Sequence, residues 1–350
     1  MKPAPNRTEM DRAFRSRDAS YDGLFYVGVR TTGIFCRPSC PARRPLPRNA
    51  EFFPSAREAL FAGYRPCKRC EPLKATGDLP PWISALLDRV EKDTSVRIKD
   101  AELRASGLEP AKVRRFFLSR FGMTFQAYCR ARRLGRAFDE IKSGTRLDDV
   151  ILSHGYESHS GFRDAFFNRF GKPPGKAKGE DYIRISWVDT PLGPMAAGAT
   201  AKGICLLEFT DRRMLEAQFE ALSRRFGIAI APGENDLVEK LRGELDLYFS
   251  GRLTRFTVPM EYPGSDFQVR VWEALLGIRY GETRSYEDIA RALGAPGAVR
   301  AVGHANGLNR IAIVIPCHRV VNKSGELGGY GGGLWRKRRL LALEQGEAFR

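Results

Sequence analysis

The chain has 350 residues, 43% of them hydrophobic, and this length is enough for two or three domains that each bury their own core. Its formal net charge of +17 indicates a polyanionic partner, with nucleic acid as the first candidate and a basic protein without such a partner as the alternative. No apolar run reaches the roughly 18 residues of a membrane span, and the N-terminus is polar and basic. We therefore expect a cytoplasmic, nucleoid-associated protein without a membrane partner.

Four of the seven cysteines cluster near the N-terminus, as Cys36-x3-Cys40 and Cys67-x2-Cys70. Four thiolates can close a tetrahedral zinc shell, and short paired spacings let one loop supply two ligands. Zinc with four thiolates carries a net charge of about −2, and alkylating one sulfur would leave about −1, so such a site would then repel phosphates less. The alternatives are a purely structural zinc ribbon and buried cysteines that are close by chance.

A linker predicted at residues 73–81 leads to a helical region with an internal repeat. Gly107 and Gly155 each stand between two amphipathic helices, which predicts two helix-turn-helix units in tandem. The alternative is an ordinary helical bundle with basic solvated faces. In the second unit, Ser158, His159 and Arg163 are candidates to face base edges, whereas Arg114 and Arg115 in the first are candidate phosphate contacts.

The last segment alternates strand-like and helical runs in its first part and is mostly helical beyond Pro263, which predicts an α+β domain in two lobes. An apolar run at 311–315 should be buried, and it leads directly to Cys317 and His318. A neighbouring base can activate a thiol, but adjacent side chains often point apart, so a buried inert cysteine is the alternative. Cys129 and Cys205 are predicted to be core or loop residues without a chemical role.

The N-terminal motifs resemble the Ada family of adaptive-response proteins. They are FYVGVRTTGIFCRPSC at residues 25–40 and RPCKRC at residues 65–70. The resemblance implies that Cys36 accepts a methyl group from a DNA phosphotriester while it remains a zinc ligand, and that Cys40, Cys67 and Cys70 are the other ligands. Arg43 is an expected DNA contact beside this site. The helical region, which ends RFGKPP at 169–174, resembles the AraC-type DNA-binding domain.

The C-terminal segment resembles the O6-alkylguanine-DNA alkyltransferases over residues 183–350, and PCHRVV at 316–321 is that family's signature. The resemblance implies that Cys317 takes the alkyl group, that His318 draws its proton, and that no cofactor is needed for this step. Gly331 stands where many relatives carry serine, but its backbone N–H can still bond the guanine oxygen. Other implied roles are Tyr286 for phosphate and guanine, Arg300 for filling the base stack, Asn309 for the hinge, Val320, Tyr330 and Gly331 for the guanine pocket, and Glu344 for orienting His318.

These resemblances cover nearly the whole chain and predict a multidomain α+β protein. It has a small zinc-bound domain at 1–76, an all-α tandem helix-turn-helix domain at 80–178, and a two-lobed α+β alkyltransferase domain at 182–262 and 263–350. The implied function is suicidal repair of O6-methylguanine and O4-methylthymine at Cys317, with methylation of Cys36 switching on transcription of alkylation-response genes. Double-stranded DNA and RNA polymerase are the expected partners of a monomer. The alternatives are a repair-only alkyltransferase whose helical domain adds nonspecific DNA affinity, and a regulator that transfers poorly.

Overall fold

A computed structural model describes residues 5–70, 72, 81–121, 123–177, 179–212 and 215–347. The predicted linker at 73–81 therefore lies outside the described residues, except for Pro81. Among the helices within these ranges, none combines the length and the apolar character needed to cross a membrane.

The N-terminal domain is a four-stranded sheet with helices beside it, in the strand order β3-β1-β2-β4. Strand β2 pairs in parallel with β4, with Phe35 opposite Pro66, and the Cys67 N–H donates to the Phe35 carbonyl. This register brings Cys36, at the end of β2, beside Cys67, which directly follows β4. The elements are α1 (Arg7–Ser16), β1 (Tyr26–Val29), β2 (Ile34–Cys36), β3 (Ala50–Phe53), α2 (Ala56–Phe61) and β4 (Arg65–Pro66).

The helical domain contains the two predicted helix-turn-helix units. Gly107 and Gly155 have φ of 73° and 67°, a left-handed conformation that glycine adopts without steric cost, and each forms the tight turn of one unit. Separate phenylalanine-rich cores hold the two units, and the long helix α6 contributes to both. The elements are α3 (Pro81–Lys92), α4 (Asp100–Ala105), α5 (Pro110–Phe121), α6 (Phe125–Lys142), α7 (Leu147–Ser153) and α8 (His159–Phe170).

The C-terminal domain has the two predicted lobes. The sheet lobe carries a four-stranded sheet in the order β7-β6-β5-β8, in which β8 alone is parallel to its neighbour. It contains β5 (Ile183–Val188), β6 (Met195–Ala199), β7 (Ile204–Phe209), α9 (Leu215–Phe226), β8 (Ile230–Pro232) and α10 (Asp236–Phe249). The helical lobe contains α11 (Asp266–Leu276), β9 (Arg284–Ser285), α12 (Tyr286–Ala292), α13 (Val299–Gly307), β10 (Val320–Val321) and α14 (Leu334–Glu344).

The apolar run at 311–315 joins the two lobes and is buried throughout, as its composition predicts. The Leu207 N–H of β7 donates to the Arg310 carbonyl, and the Ala312 N–H donates to the Leu207 carbonyl. Ile313 has a φ of 72°, which a β-branched side chain strongly disfavours and which costs about 1–3 kcal/mol. The run is thus a strained bend held by both lobes, and it ends at Cys317.

The helical domain packs against the edge of the sheet lobe. The rings of Phe121 and Trp187 meet edge to face with centroids 4.4 Å apart. Asp139 on α6 accepts a hydrogen bond of 2.9 Å from the Tyr182 hydroxyl and forms an ion pair with Arg184. Aromatic contacts and charge pairs therefore join the second domain to the third.

Candidate functional site

The four N-terminal cysteines form one compact cluster, in which the Sγ atoms all lie within 4.8 Å of one another. Cys36, Cys40 and Cys67 are buried, and Cys70 is half-buried. The backbone N–H of Arg37 donates to Cys70 Sγ at 3.4 Å, and that of Arg69 donates to Cys67 Sγ at 3.4 Å. A cavity of about 160 Å3 borders the cluster and is lined by Cys36, Cys40, Cys67 and Arg43, among others.

The charges of this cluster favour a bound dication. Hydrogen bonds from Cys36 and Cys70 lower the pKa of Cys40 to about 2, whereas hydrogen bonding to Cys40 and Cys70, together with burial, raises the pKa of Cys36. Neighbouring thiolates repel one another, so four of them coexist at this spacing only around a cation. Four sulfur ligands in tetrahedral reach are the donor set of structural zinc, and the residues present fit that ion.

Cys317 starts a short 3-10 turn, Cys317–Arg319, directly after the strained bend. Its thiol is buried, and the Asn309 side-chain amide donates to its Sγ at 3.1 Å and to the Ile315 carbonyl at 2.9 Å. The Asn309 side-chain oxygen accepts from the Ile311 N–H at 2.9 Å. One asparagine therefore braces the bend and contacts the sulfur that the bend presents.

His318 pairs with a carboxylate from the last helix. Its Nε2 lies 2.8 Å from Glu344 Oε1, and both side chains are fully buried. Arg319 also binds Glu344, through its Nε to Oε2 and one terminal nitrogen to Oε1, each at 2.9 Å. The fold thus brings together Cys317, His318, Asn309 and Glu344, as the resemblance implied. It adds Arg319, for which the resemblance implied no role.

The protonation states of this group follow from its burial and its partners. Burial raises the pKa of Glu344, but the hydrogen bonds from His318 and Arg319 and the charge of Arg319 outweigh it and hold that pKa at about 2. An ionised Glu344 can only accept, so His318 Nε2 carries the proton. Burial lowers the pKa of His318, which leaves a neutral imidazole with a bare Nδ1, and this atom has no hydrogen-bond partner among the described residues. Burial likewise raises the pKa of Cys317, so the resting thiol is protonated.

Of the predicted pocket residues, three lie close to Cys317. Val320 is fully buried just after the turn. The pKa values of Tyr286 and Tyr330 are raised, first by burial and then by the charge of a Cys317 thiolate. The Tyr330 hydroxyl is buried, and no hydrogen-bond partner for it is present in the described part of the chain.

Gly331 adjoins the sheet lobe, whereas Arg300 lies on the surface of α13. A side chain at Gly331 would meet the Arg212 guanidinium at 2.7 Å, so an arginine from the sheet lobe occupies the space that a serine there would need. Arg300 is exposed as the second residue of α13. The pocket and the exposed arginine therefore belong to neighbouring parts of the helical lobe.

The predicted DNA contacts of the helical domain all lie on its surface. Ser158, His159 and Arg163 are exposed at the start of α8, and Arg114 and Arg115 are exposed on α5. Ser158 is the N-cap of α8, and its hydroxyl accepts from the Gly161 N–H at 3.1 Å, so part of its hydrogen-bonding capacity serves the helix. Whether these five side chains contact DNA stays a prediction, as does the contact expected of the exposed Arg43.

Four family models match consecutive parts of the chain. They are the metal binding domain of Ada at residues 9–72, a helix-turn-helix domain at 103–179, and the ribonuclease-like and DNA binding domains of 6-O-methylguanine DNA methyltransferase at 183–262 and 266–346. The Escherichia coli protein named bifunctional transcriptional activator/DNA repair enzyme Ada is 36% identical over 98% of this chain and 98% of its own length. The chain belongs to the Ada family.

Two other proteins resemble about half of this Ada-family chain. The methylated-DNA–protein-cysteine methyltransferase of Mycobacterium bovis is 48% identical over 47% of this chain and 94% of its own length. The crystal structure of Mycobacterium tuberculosis OGT in complex with DNA is 44% identical, with a TM-score of 0.41, and covers 48% of this chain and 94% of that chain. The predicted family, fold class and zinc-binding domain are confirmed.

Sequence reasoning did not identify every residue of the Cys317 group. Arg319 was visible only as a member of the PCHRVV motif, and no motif marked Lys337. Lys337 is fully buried, donates to the Val320 carbonyl, and has its pKa lowered to about 8 by that burial. Tyr248 donates to Glu344 from the other lobe, and no local motif marks it. Cys129 and Cys205 are buried, and burial raises the pKa of each to about 12, so of the two predicted alternatives both residues take the core position.

Proposed function

We propose that this protein repairs alkylated DNA by irreversible methyl transfer to two of its own cysteines. Cys317 takes the methyl group of O6-methylguanine and O4-methylthymine, and Cys36 takes that of methylphosphotriesters. The observation that carries the proposal is the buried group of Cys317, Asn309, His318 and Glu344, which lies in the same chain as a four-cysteine metal site. The full-length similarity to a bifunctional activator and repair enzyme supports both halves of the proposal.

At Cys317 the proposed reaction is a single displacement. The damaged base leaves the duplex, which costs a few kcal/mol, and Arg300 fills the gap. His318 Nδ1 takes the thiol proton, directly or through one water, and Cys317 Sγ attacks the methyl carbon. The S–C bond forms as the C–O bond breaks, and its electron pair passes to the guanine, which Tyr286 helps to protonate.

The remaining residues hold this arrangement. Asn309 donates to the sulfur as it becomes anionic, and Glu344 keeps His318 in the tautomer whose Nδ1 accepts the proton. Val320, Tyr330 and Gly331 surround the guanine. The product is a thioether that nothing in the chain reverses, so each molecule acts once at this site and no cofactor takes part in the step.

At the N-terminal site we propose that methylation of Cys36 is a charge switch. Bound zinc would hold the four sulfurs together and keep them reactive as thiolates. Converting the Cys36 thiolate to a neutral thioether removes one negative charge from a site bordered by Arg43, so the repulsion of DNA phosphates falls. The methylated protein then binds promoter DNA through the helix-turn-helix units, recruits RNA polymerase and activates alkylation-response genes. It acts as a monomer in the cytoplasm, associated with the nucleoid.

Mass spectrometry of methylated peptides tests both transfers in the wild-type chain. We expect one added methyl group on the Cys317 peptide after incubation with a duplex containing O6-methylguanine. A duplex with methylphosphotriesters should place one on the Cys36 peptide. If Cys317 is methylated and Cys36 is not methylated by either substrate, the repair-only alternative remains, in which the helical domain adds nonspecific DNA affinity. Methylation of neither would refute the proposal.

The pH dependence of transfer to Cys317 should reflect the buried histidine. Because burial lowers the pKa of His318 below its ordinary value of about 6.5, the imidazole stays neutral as the pH falls through that value. We therefore expect the acid limb of the single-turnover rate constant to lie below the ordinary histidine pKa. Single-turnover rates between pH 5 and pH 9, with circular dichroism to monitor folding, measure this. An acid limb centred at or above the ordinary histidine pKa would contradict a neutral buried base.

A further inference from the structure

The Glu344 carboxylate receives five hydrogen bonds, and one of them comes from the sheet lobe. Oε1 accepts from His318, Arg319 and the Tyr248 hydroxyl, the last at 2.7 Å, and Oε2 accepts from Arg319 and the Gly281 N–H. Tyr248 lies on α10 and is only 1% exposed. The hydroxyl of Tyr248 therefore contacts the same oxygen that His318 contacts.

The ring of Tyr248 has packing partners that do not need its hydroxyl. Its centroid lies 5.4 Å from that of Phe256 and 6.0 Å from that of Tyr280. A phenylalanine would fill the same space, so packing alone does not account for a hydroxyl here. Burial first, and then the charge of Glu344, raise the pKa of Tyr248 well above its usual value, so the hydroxyl remains a donor throughout the physiological range.

We propose that Tyr248 is a positioning residue for methyl transfer to Cys317: its hydroxyl fixes the Glu344 carboxylate and, through it, the orientation of His318. The inference rests on the proposed transfer reaction and adds a contribution from the sheet lobe. A carboxylate that binds only residues of the helical lobe would follow movements of that lobe when DNA binds. Tyr248 ties it to a helix of the other lobe and so limits the rotation of both Glu344 and the imidazole.

The effect of losing this hydroxyl has a definite sign. The charged or titratable groups around the pair are Tyr248 from α10, Arg319 from the turn, Tyr280 before β9, and Lys337 from α14. Without the Tyr248 hydroxyl, the Glu344 charge is less neutralised and attracts a protonated His318 more strongly. His318 then takes up a proton at higher pH, and its ring is held less firmly at every pH.

The test compares Tyr248→Phe with the wild-type full-length chain in single-turnover transfer from a duplex containing O6-methylguanine. We expect the rate constant at pH 7 to fall about tenfold, the lower end of the effect of one hydrogen bond to a charged group, and the acid limb to move to higher pH. In a Glu344→Gln background the same change should have little further effect, because Tyr248 acts through that carboxylate.

Tyr182→Phe is the matched control, because it removes a hydroxyl–carboxylate hydrogen bond of 2.9 Å from the buried Tyr182 to the partly exposed Asp139, outside the Cys317 group. It should lower the melting temperature to a similar extent and leave the acid limb unchanged. Should Tyr248→Phe fail to fold, the Tyr248 hydroxyl proton is followed by NMR in the wild-type chain, where it should resonate downfield and shift on Glu344→Gln.

Three results would overturn the role of Tyr248 while the wild-type chain still transfers methyl groups. The first is a rate constant and an acid limb in Tyr248→Phe that equal those of the wild type. The second is an effect of Tyr248→Phe on the rate constant that is as large in the Glu344→Gln background as in the wild type. The third is a Tyr248 hydroxyl resonance that does not shift on Glu344→Gln. A wild-type chain that transfers nothing to Cys317 would instead refute the proposed function, and with it the reaction that Tyr248 is inferred to serve.

Discussion

Replacing Cys317 with alanine should abolish methyl transfer from O6-methylguanine and leave transfer from methylphosphotriesters unchanged. The alanine variant has no sulfur at the position that Asn309 and the strained bend present, and no other described cysteine shares those contacts. The N-terminal cluster belongs to a separate sheet and keeps all four of its sulfurs. Intact-mass measurement after incubation with each methylated duplex separates the two activities.

Cys205→Ala is the matched control for this experiment. Cys205 is buried in the sheet lobe, and burial raises the pKa of its thiol, but it lies outside the Cys317 group. Its replacement should leave both transfers intact. Loss of both transfers in a folded Cys317→Ala protein would refute the model of two independent acceptor sites, and so would methyl transfer from O6-methylguanine that persists.

Replacing Cys36 with serine should eliminate methylation from phosphotriesters and the increase in DNA affinity that follows it, while repair of guanine continues. In the wild-type chain, one thiolate charge is lost on methylation beside Arg43, so binding to DNA should tighten. Affinity for promoter DNA, titrated against salt before and after exposure to methylphosphotriesters, measures the switch. An affinity that methylation leaves unchanged across the salt range would exclude the charge argument.

Because Cys36 is also a metal ligand, its replacement needs a control that removes a ligand without removing the acceptor. Cys40→Ser provides it, and zinc content and circular dichroism should be measured for both variants. If Cys40→Ser still gains a methyl group on Cys36 and Cys36→Ser gains none, the acceptor is Cys36 and not the cluster in general. A methyl group found on Cys40 or Cys67 of the wild-type chain would assign the reaction to another sulfur.

The cluster of four cysteines was predictable because each cysteine pair is local, and only the approach of one pair to the other required the fold. The parallel pairing of β2 with β4 brings the two cysteine pairs together. Glu344 was predictable only through family resemblance, since no spacing relates it to His318. Tyr248 was not predictable at all, because it lies 96 residues from the carboxylate it binds and reads as an ordinary core tyrosine on an amphipathic helix.

Backbone conformation set another limit on prediction. The run at 311–315 has the composition of a buried strand, and its burial was predicted correctly. The residue of this run with a left-handed conformation is Ile313, and a β-branched side chain is among the least favourable in that conformation. Contacts with Leu207 and Asn309 impose that conformation, and these depend on the packing of the two lobes.

The contact between Asp139 of the helical domain and Tyr182 and Arg184 of the sheet lobe affects how the chain can be dissected. A fragment beginning near residue 180 would keep the pairing of Arg184 with Asp181 but lose the Asp139 carboxylate, and it would uncover the face of Trp187 that Phe121 covers. The complementary fragment would carry the orphaned carboxylate. Melting curves or affinities of the two isolated fragments therefore do not sum to those of the intact molecule, and the difference reports the coupling between the helix-turn-helix domain and the alkyltransferase domain.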